Sequence, residues 1–251
     1  MNWSLPPSRV PELMDDPAID AAEHLHALDA LATINAVSRT AAQLAAAIRR
    51  LGGSSRPGGR FVVADIACGG GDLTCDLATR LVRLGNQPGA AEDSPLLVGV
   101  DVSPRAIDRA RRLAAGRGVD ASFMIRDVLS EGLPPCDVAV CSLFVHHLDD
   151  QDAVRLVRRM AESARRGFVI SDLIRSRLGL ALAVLGTGLL SRSRVARIDG
   201  PLSVRAARTP AEYRELCAAA GVGGAAINRS WPERIVIEWR RPGASPAGER
   251  P

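Results

Sequence analysis

The densest chemical information in the chain lies in one stretch, Asp65-Ile66-Ala67-Cys68-Gly69-Gly70-Gly71-Asp72. It follows an apolar run, FVVADIA, and precedes a helical pattern that begins at Asp72. Glycines at such a junction let the backbone turn tightly and approach a ligand with no Cβ in the way, while the first N–H groups of the helix are free to donate. A second acid, Asp101, closes the next apolar run, LLVGVDV, where a carboxylate can accept both hydroxyls of a ribose. The glycines depart from a dinucleotide loop: counted from Gly69, the third fingerprint position is Asp72, where a pyrophosphate site wants Gly or Ala. An acid at a helix start repels pyrophosphate and suits a ligand that carries positive charge. Cys68, inside the loop, reads as a small filler whose backbone lines the ligand rather than as a nucleophile.

Other reactive side chains are few. His146 and His147 stand together after a predicted strand, and a neutral imidazole there could take a proton from an acceptor hydroxyl, a role expected of His147 rather than of the packed His146. His24 and His26 fall on opposite sides of a helix, so only one can face a cleft. Asp172, in VISDLI, either touches substrate or caps the turn that follows. No paired-carboxylate or histidine spacing argues for a metal, so none is expected.

Composition narrows the chemistry further. All 32 residues of the Lys+Arg count are Arg, which removes Schiff-base, pyridoxal-phosphate and P-loop lysine chemistry. A net charge of +4 with only 3% aromatics supplies neither the basic groove nor the stacking platforms of a nucleic-acid binder, so no nucleic-acid partner is expected. The five cysteines are odd in number and form no CxxC pair, and the first residues lack the basic and apolar regions of a secretory signal. Reduced thiols and a cytoplasmic location are expected.

The elements that must position these residues can be read from periodicity. Leu25, Leu28, Leu31, Ile34, Val37, Leu44 and Ile48 recur at helical steps, so residues 1–55 read as an N-terminal helical cap, closed by the breaker cluster from Gly52 to Gly59. Short apolar runs then alternate with helical stretches through GFVISDLI. That alternation implies an α/β fold, a doubly wound, mostly parallel Rossmann-like sheet with its ligand at the carboxyl ends of the strands. Residues 60–241 form this domain, with an insertion at 176–208 after the fifth strand. The run Leu178 to Leu190 within it is apolar around its whole circumference but shorter than the ~20 residues that cross a bilayer. It roofs the cleft as a lid or packs as core. TPAEYRELCAAAG reads as a helix capped by Thr209 and Gly221, AAINRSW and RIVIEWRR as a terminal hairpin, and 242–251 as a disordered tail.

Taken together, Phe61 to Phe168 resembles the class I S-adenosylmethionine-dependent methyltransferases. The family's motif acid-x-Gly-x-Gly-x-Gly is matched by Asp65, Ala67, Gly69 and Gly71, with Ala67 as the departure. The resemblance places the ribose acid at Asp101, beside Val102. It places the adenine-binding acid at Asp127, with the Val128 N–H toward the ring, and the segment after the fourth strand at Cys141 and Ser142, followed by Leu143, Phe144 and the His146-His147-Leu148 run. Arg39 could reach the cofactor's carboxylate as a bidentate partner. The cofactor implied is S-adenosyl-L-methionine, with S-adenosyl-L-homocysteine as product. The acceptor expected is a lipophilic small molecule, first as O-methylation of a phenol, quinol or polyketide-like hydroxyl and second as C-methylation, by a monomer or homodimer with no membrane span. An NAD(P)-dependent oxidoreductase would want a Tyr-Lys pair that a lysine-free chain cannot supply. An adenosine-binding module without turnover remains the non-enzymatic alternative.

Overall fold

Seven segments become the strands of one sheet in the computed structural model, which describes residues 5–16, 18–52, 55–56, 59–85 and 95–244. They are β1 (Val62–Ile66), β2 (Leu96–Asp101), β3 (Ala121–Ile125), β4 (Cys136–Ser142), β5 (Ala164–Leu173), β6 (Ala226–Ser230) and β7 (Arg234–Arg240). In space they run β3-β2-β1-β4-β5-β7-β6, parallel through β5 and then antiparallel for β5–β7 and β7–β6. This is the doubly wound, mostly parallel arrangement expected. From β1 the chain first builds outward to β2 and β3, then crosses back to β4, so the order reverses between β1 and β4. A crevice forms at such a reversal, outside the carboxyl ends of the strands.

The helices are α1 (Ala21–Val37), α2 (Thr40–Gly52), α3 (Asp72–Gly85), α4 (Pro104–Arg117), α5 (Asp150–Ser163), α6 (Arg177–Leu190), α7 (Arg194–Ala206) and α8 (Pro210–Ala219). Strand periodicity divides their packing between the two faces. Val63, Val140 and Val169 point to one side, where Leu44 and Ile48 of α2 and Leu77 and Leu81 of α3 cover them. Ala64, Ile66 and Phe168 point to the other, against Leu156 and Met160 of α5 and Tyr213 and Leu216 of α8. Thus α2 is a layer helix of the sheet, whereas α1 packs against α3, α6 and α7. The 176–208 insertion is the pair α6 and α7.

Local chemistry accounts for the helix ends that matter to the site. The Ser103 hydroxyl accepts from Ala106 N–H with Pro104 next in line, and Gly118 ends α4 in the left-handed conformation. Thr209 and Glu212 form a reciprocal capping box on α8, whose last residues are Ala219 and the cap Ala220, with Gly221 following at φ +80°. Strand β5 starts at Ala164, earlier than GFVISDLI suggests, because α5 stops at Ser163 and the Arg165-Arg166 pair continues extended. Among the described residues no helix is long and apolar enough to cross a membrane. The expected tail lies outside the described residues from 245 onward, as do residues 86–94 of the loop before β2 and parts of the breaker cluster.

Register lines the chemistry up along one edge. Ile66 pairs with Val100 and Cys141, Asp101 with Ile125, and Ser142 with Ser171, so the turns carrying Asp101, Asp127 and Ser142 emerge side by side. The turn out of β1 is held against α4 at Gly71. A Cβ there would stand 2.6 Å from Ala110 Cβ, and the residue sits at φ +79°. Gly71→Ala combines overpacking with a left-handed alanine, so a loss of about 2–4 kcal/mol in urea denaturation is expected. A midpoint equal to the wild type would contradict this packing role.

Candidate functional site

The turn after β1 is a strained hinge between strand and helix. Ala67 has φ +54° and Gly69 φ +52°. A left-handed alanine costs roughly 1–2 kcal/mol, which is why glycine is the ordinary occupant of such a position. The turn is locked from two sides. Gly69 N–H donates to Asp101 Oδ2 at 2.8 Å, and Ser103 N–H to Asp101 Oδ1 at 2.9 Å. Asp101, pushed up by burial and held back by these two backbone donors, keeps one acceptor site per oxygen for a ligand. Asp65 lies beneath the turn, almost wholly buried, with Thr74 Oγ1 donating to its Oδ2 at 2.6 Å.

Arg109 of α4 is the second lock. Its guanidinium donates to Gly70 O at 2.8 Å, to Asp72 at 2.5 Å and to Asp29 of α1 at 2.6 Å, tying the glycine turn, the start of α3 and the N-terminal helix together. Asp72 is therefore paired. Its charge is balanced by Arg109 rather than left for a cation, which corrects the electrostatic role expected from its position in the motif. The acidic groups left at this end of the crevice are Asp101, Asp127 and the buried Asp65, whose pKa is lifted to about 7. Asp127 caps its own turn, accepting from Leu129 N–H and Ser130 Oγ at 2.8 Å each, and these bonds hold its pKa below the ordinary carboxylate range.

The crevice is a cleft of about 1280 Å³ with two kinds of wall. One is the carboxylate edge just described. The other is apolar, made by Leu28 and Leu31 of α1 and Leu182, Leu185 and Leu189 of α6. Leu185 is 60% and Leu189 83% exposed, so the apolar circumference of α6 is covered on one side only. At the far end a polar group closes the cleft. His146 Nδ1–H donates to the fully buried Asp172 Oδ1 at 2.6 Å, His147 Nδ1–H to Asp15 Oδ2 at 2.9 Å, and Ser203 Oγ–H to Glu12 Oε1 at 2.5 Å. Burial opposes a charge on His147, but the Asp15 bond and the Glu12 carboxylate outweigh it and raise its pKa to about 9. These carboxylates favour the protonated form of the ring over the neutral base expected of it.

Of the residues expected to line a ligand, the cleft brings together Asp65, Ala67, Cys68, Gly69, Asp101, Val102, Asp127, Val128, Ser142 and His147. Three others stand elsewhere. Gly71 packs on Ala110. Cys141 points into the core between sheet and α5 because strand alternation turns it away from its neighbour Ser142. Arg39 is exposed at φ +54°, in the short break between α1 and α2, and does not line the cleft. Asp172 neither touches the cleft nor caps a turn from outside; it is wholly buried behind His146. The Cys68 thiol, raised by burial, packs close to Gly99, consistent with a filler. His24 takes the inner face of α1 and His26 the outer. Sequence reasoning missed Glu12, Asp15 and Arg109. Only the acid-rich PELMDD segment hinted at the first two, and nothing local marks the third.

Comparison with known proteins gives a consistent picture. Residues 63–167 match the family model described as methyltransferase domain. No curated protein sequence matches the chain. Among solved structures, the chain is similar to magnesium protoporphyrin IX methyltransferase from Synechocystis with bound SAH, at 21% identity over 90% of both chains and a TM-score of 0.54. It is also similar to the mitomycin 7-O-methyltransferase, at 24% identity over 83% of this chain and 55% of that one, TM-score 0.53. An O-methyltransferase family 2 protein from Planctomyces limnophilus in complex with apigenin matches at 18% identity over 90% and 63%, TM-score 0.57. At these identities the likeness is one of fold.

Asp65 makes the electrostatics of the loop measurable. Burial lifts its pKa to about 7, against the Thr74 bond and with help from the Asp101 charge. In the unfolded chain it ionises near the ordinary carboxylate value, so between about pH 4 and 7 the folded state keeps a proton that the unfolded chain has lost. Stability therefore falls as pH rises across that window, by up to roughly 4 kcal/mol. Asp65→Asn keeps an acceptor for Thr74 and removes this loss. Its thermal midpoint is expected to lie above the wild type near pH 8 and level with it near pH 4; equal midpoints at both would contradict the assignment.

Proposed function

We propose that the chain is an S-adenosylmethionine-dependent enzyme, with residues 63–167, which match a methyltransferase-domain model, as its cofactor-binding part, and that it methylates a lipophilic small molecule, on the oxygen of a phenol, quinol or polyketide-like hydroxyl. The observation that carries this reading is the composition of the cleft. A single cavity joins the carboxylate edge of the sheet to the leucine wall of α1 and α6 and ends at Glu12, His146 and His147. At about 1280 Å³ it exceeds the ~300–1,000 Å³ of an ordinary small-ligand pocket, which leaves room for a cofactor and an acceptor together.

The residues present fit the cofactor. Ser142 Oγ and His24 Nδ1 are buried without a hydrogen-bond partner, and both residues line the cleft beside Asp101 and Leu143. Asp101 would hold the ribose hydroxyls on its remaining lone pairs, Asp127 and the Val128 N–H would meet the adenine, and the Ala67–Gly69 backbone would pass close to the amino-acid portion. When bound, S-adenosylmethionine supplies an electrophilic methyl on a sulfonium, which an acceptor oxygen takes by in-line displacement, leaving S-adenosylhomocysteine.

The chain's own contribution is to orient the pair and keep water out. The insertion 176–208 acts as the lid, with residues 1–55 as the cap and 60–241 as the domain beneath. Leucines of α6 and α1 bind the acceptor by its apolar body. The Glu12–His146–His147 end receives the hydroxyl, because it offers groups that can stabilise an oxyanion or manage its proton. The rival oxidoreductase reading gains nothing from Tyr213, which is buried in the core and donates to Leu173 O. A cytoplasmic setting suits the five free, buried thiols.

Two measurements test this. With carbon-13-methyl S-adenosylmethionine and a panel of phenols, quinols and charged polar acceptors, a methoxy carbon on the apolar phenols is expected. A carbon-bound methyl, or turnover of the charged acceptors alone, would overturn the O-methyl or the lipophilic assignment respectively. In titration calorimetry Asp101→Ala is expected to weaken S-adenosylhomocysteine binding at least tenfold, and unchanged affinity would contradict the ribose role.

A further inference from the structure

Glu12, His146 and His147 come from two distant parts of the chain, yet each offers one ligand atom and these atoms lie within 4.8 Å of one another. His146 Nε2 stands 3.7 Å from Glu12 Oε1 and His147 Nε2 stands 3.9 Å from Glu12 Oε2. Both separations are too long for a hydrogen bond between those atoms. They are close to the ~3.4 Å between two ligands of a tetrahedral ion bound at about 2.1 Å. From this geometry we propose that Glu12, His146 and His147 form a binding site for a divalent transition metal of the zinc class, with its fourth position open to the cleft.

What sets this group apart from an ordinary polar cluster is that every inner ligand is already oriented from behind. Asp172 holds His146 Nδ1, Asp15 holds His147 Nδ1, and Ser203 holds Glu12, so the two remaining imidazole nitrogens and the carboxylate converge. A carboxylate on the far nitrogen of a metal-bound histidine fixes its tautomer and ring plane, and such outer partners typically contribute 10–100-fold in affinity. The scaffold is braced as well. Asp199 of α7 accepts from Leu13 N–H at 2.9 Å and Met14 N–H at 3.0 Å, which clamps the segment carrying Glu12 and Asp15 over the histidine pair. Two histidines, one glutamate and an open position is the ligand set of a catalytic rather than a structural zinc site. All three residues line the cleft, so the open position faces the space given above to the acceptor. A hydroxyl bound there would ionise more readily, its proton leaving to solvent and its oxygen staying on the ion.

Cobalt(II) tests this without any methyl donor, so failure of the metal site and failure of the methyltransferase reading are separately visible. Chelator-treated protein titrated with Co²⁺ is expected to show one equivalent of visible absorption of a four-coordinate nitrogen and oxygen site, lost on addition of Zn²⁺. Glu12→Ala and His147→Ala should weaken binding at least a hundredfold. Asp15→Ala, at a half-exposed outer partner, should weaken it about 10–100-fold, and Asp15→Asn, which keeps an acceptor for His147 Nδ1–H, should restore most of that loss. The absence of stoichiometric binding, a sulfur-to-cobalt band in the near ultraviolet, or alanine variants that bind as the wild type does would overturn the proposal.

Discussion

The hydrogen bond from Gly69 N–H to the Asp101 carboxylate is the contact on which the site depends. It joins the turn after β1 to the end of β2, the two elements that flank the reversal of strand order, and so fixes the spacing between the glycine backbone and the acid that faces it. The bond needs Gly69 in the left-handed conformation, and the turn can reach it only because Gly71 lets α4 approach without a Cβ. Arg109 then carries the same constraint outward, since one guanidinium binds the turn, the start of α3 and α1. The N-terminal helix is thereby placed by the loop it covers, and its inner leucines become a wall of the cleft.

The opposite end obeys a different rule. There, buried polar groups are satisfied in pairs, each inner side chain by an outer one, in a pocket where an unpaired charge would be costly. Asp172 pairs with His146, Asp15 with His147 and Ser203 with Glu12, and the N-terminal segment is pinned by Asp199 of the insertion. An apolar helix, α6, spans the gap between the two ends with its leucines half uncovered. A charged edge, a greasy wall and a polar terminus in one cavity fit a reaction that joins a cationic donor to an apolar acceptor.

Much of this was legible in the sequence, for physical reasons that differ by element. The strands β1, β2 and β4 announce themselves because buried parallel strands must be continuously apolar, and the loop Asp65–Asp72 because only glycine tolerates its turns cheaply. The apolar circumference of Leu178 to Leu190 marked α6 as a helix, but not its exposure: the expectation of no water-facing side fails at Leu178, Val184, Leu185 and Leu189, which stand exposed. What was not legible depends on contacts between distant segments. Cys141 and Ser142 are neighbours in sequence and opposite in orientation, which only the phase of β4 decides. The pairing of Asp72 with Arg109 reverses the electrostatic meaning of a correctly read motif. Glu12 and Asp15 sit far from the histidines they meet, and no spacing rule links them, so the cluster they form with His146 and His147 was invisible until the chain was folded.

A crystal structure of the protein with S-adenosylhomocysteine bound tests the central assignment most directly. The expected result is a ribose whose two hydroxyls bond to Asp101, with the sulfur directed along the cleft toward Glu12, His146 and His147. A ribose held elsewhere, or a sulfur turned away from that group, would contradict it.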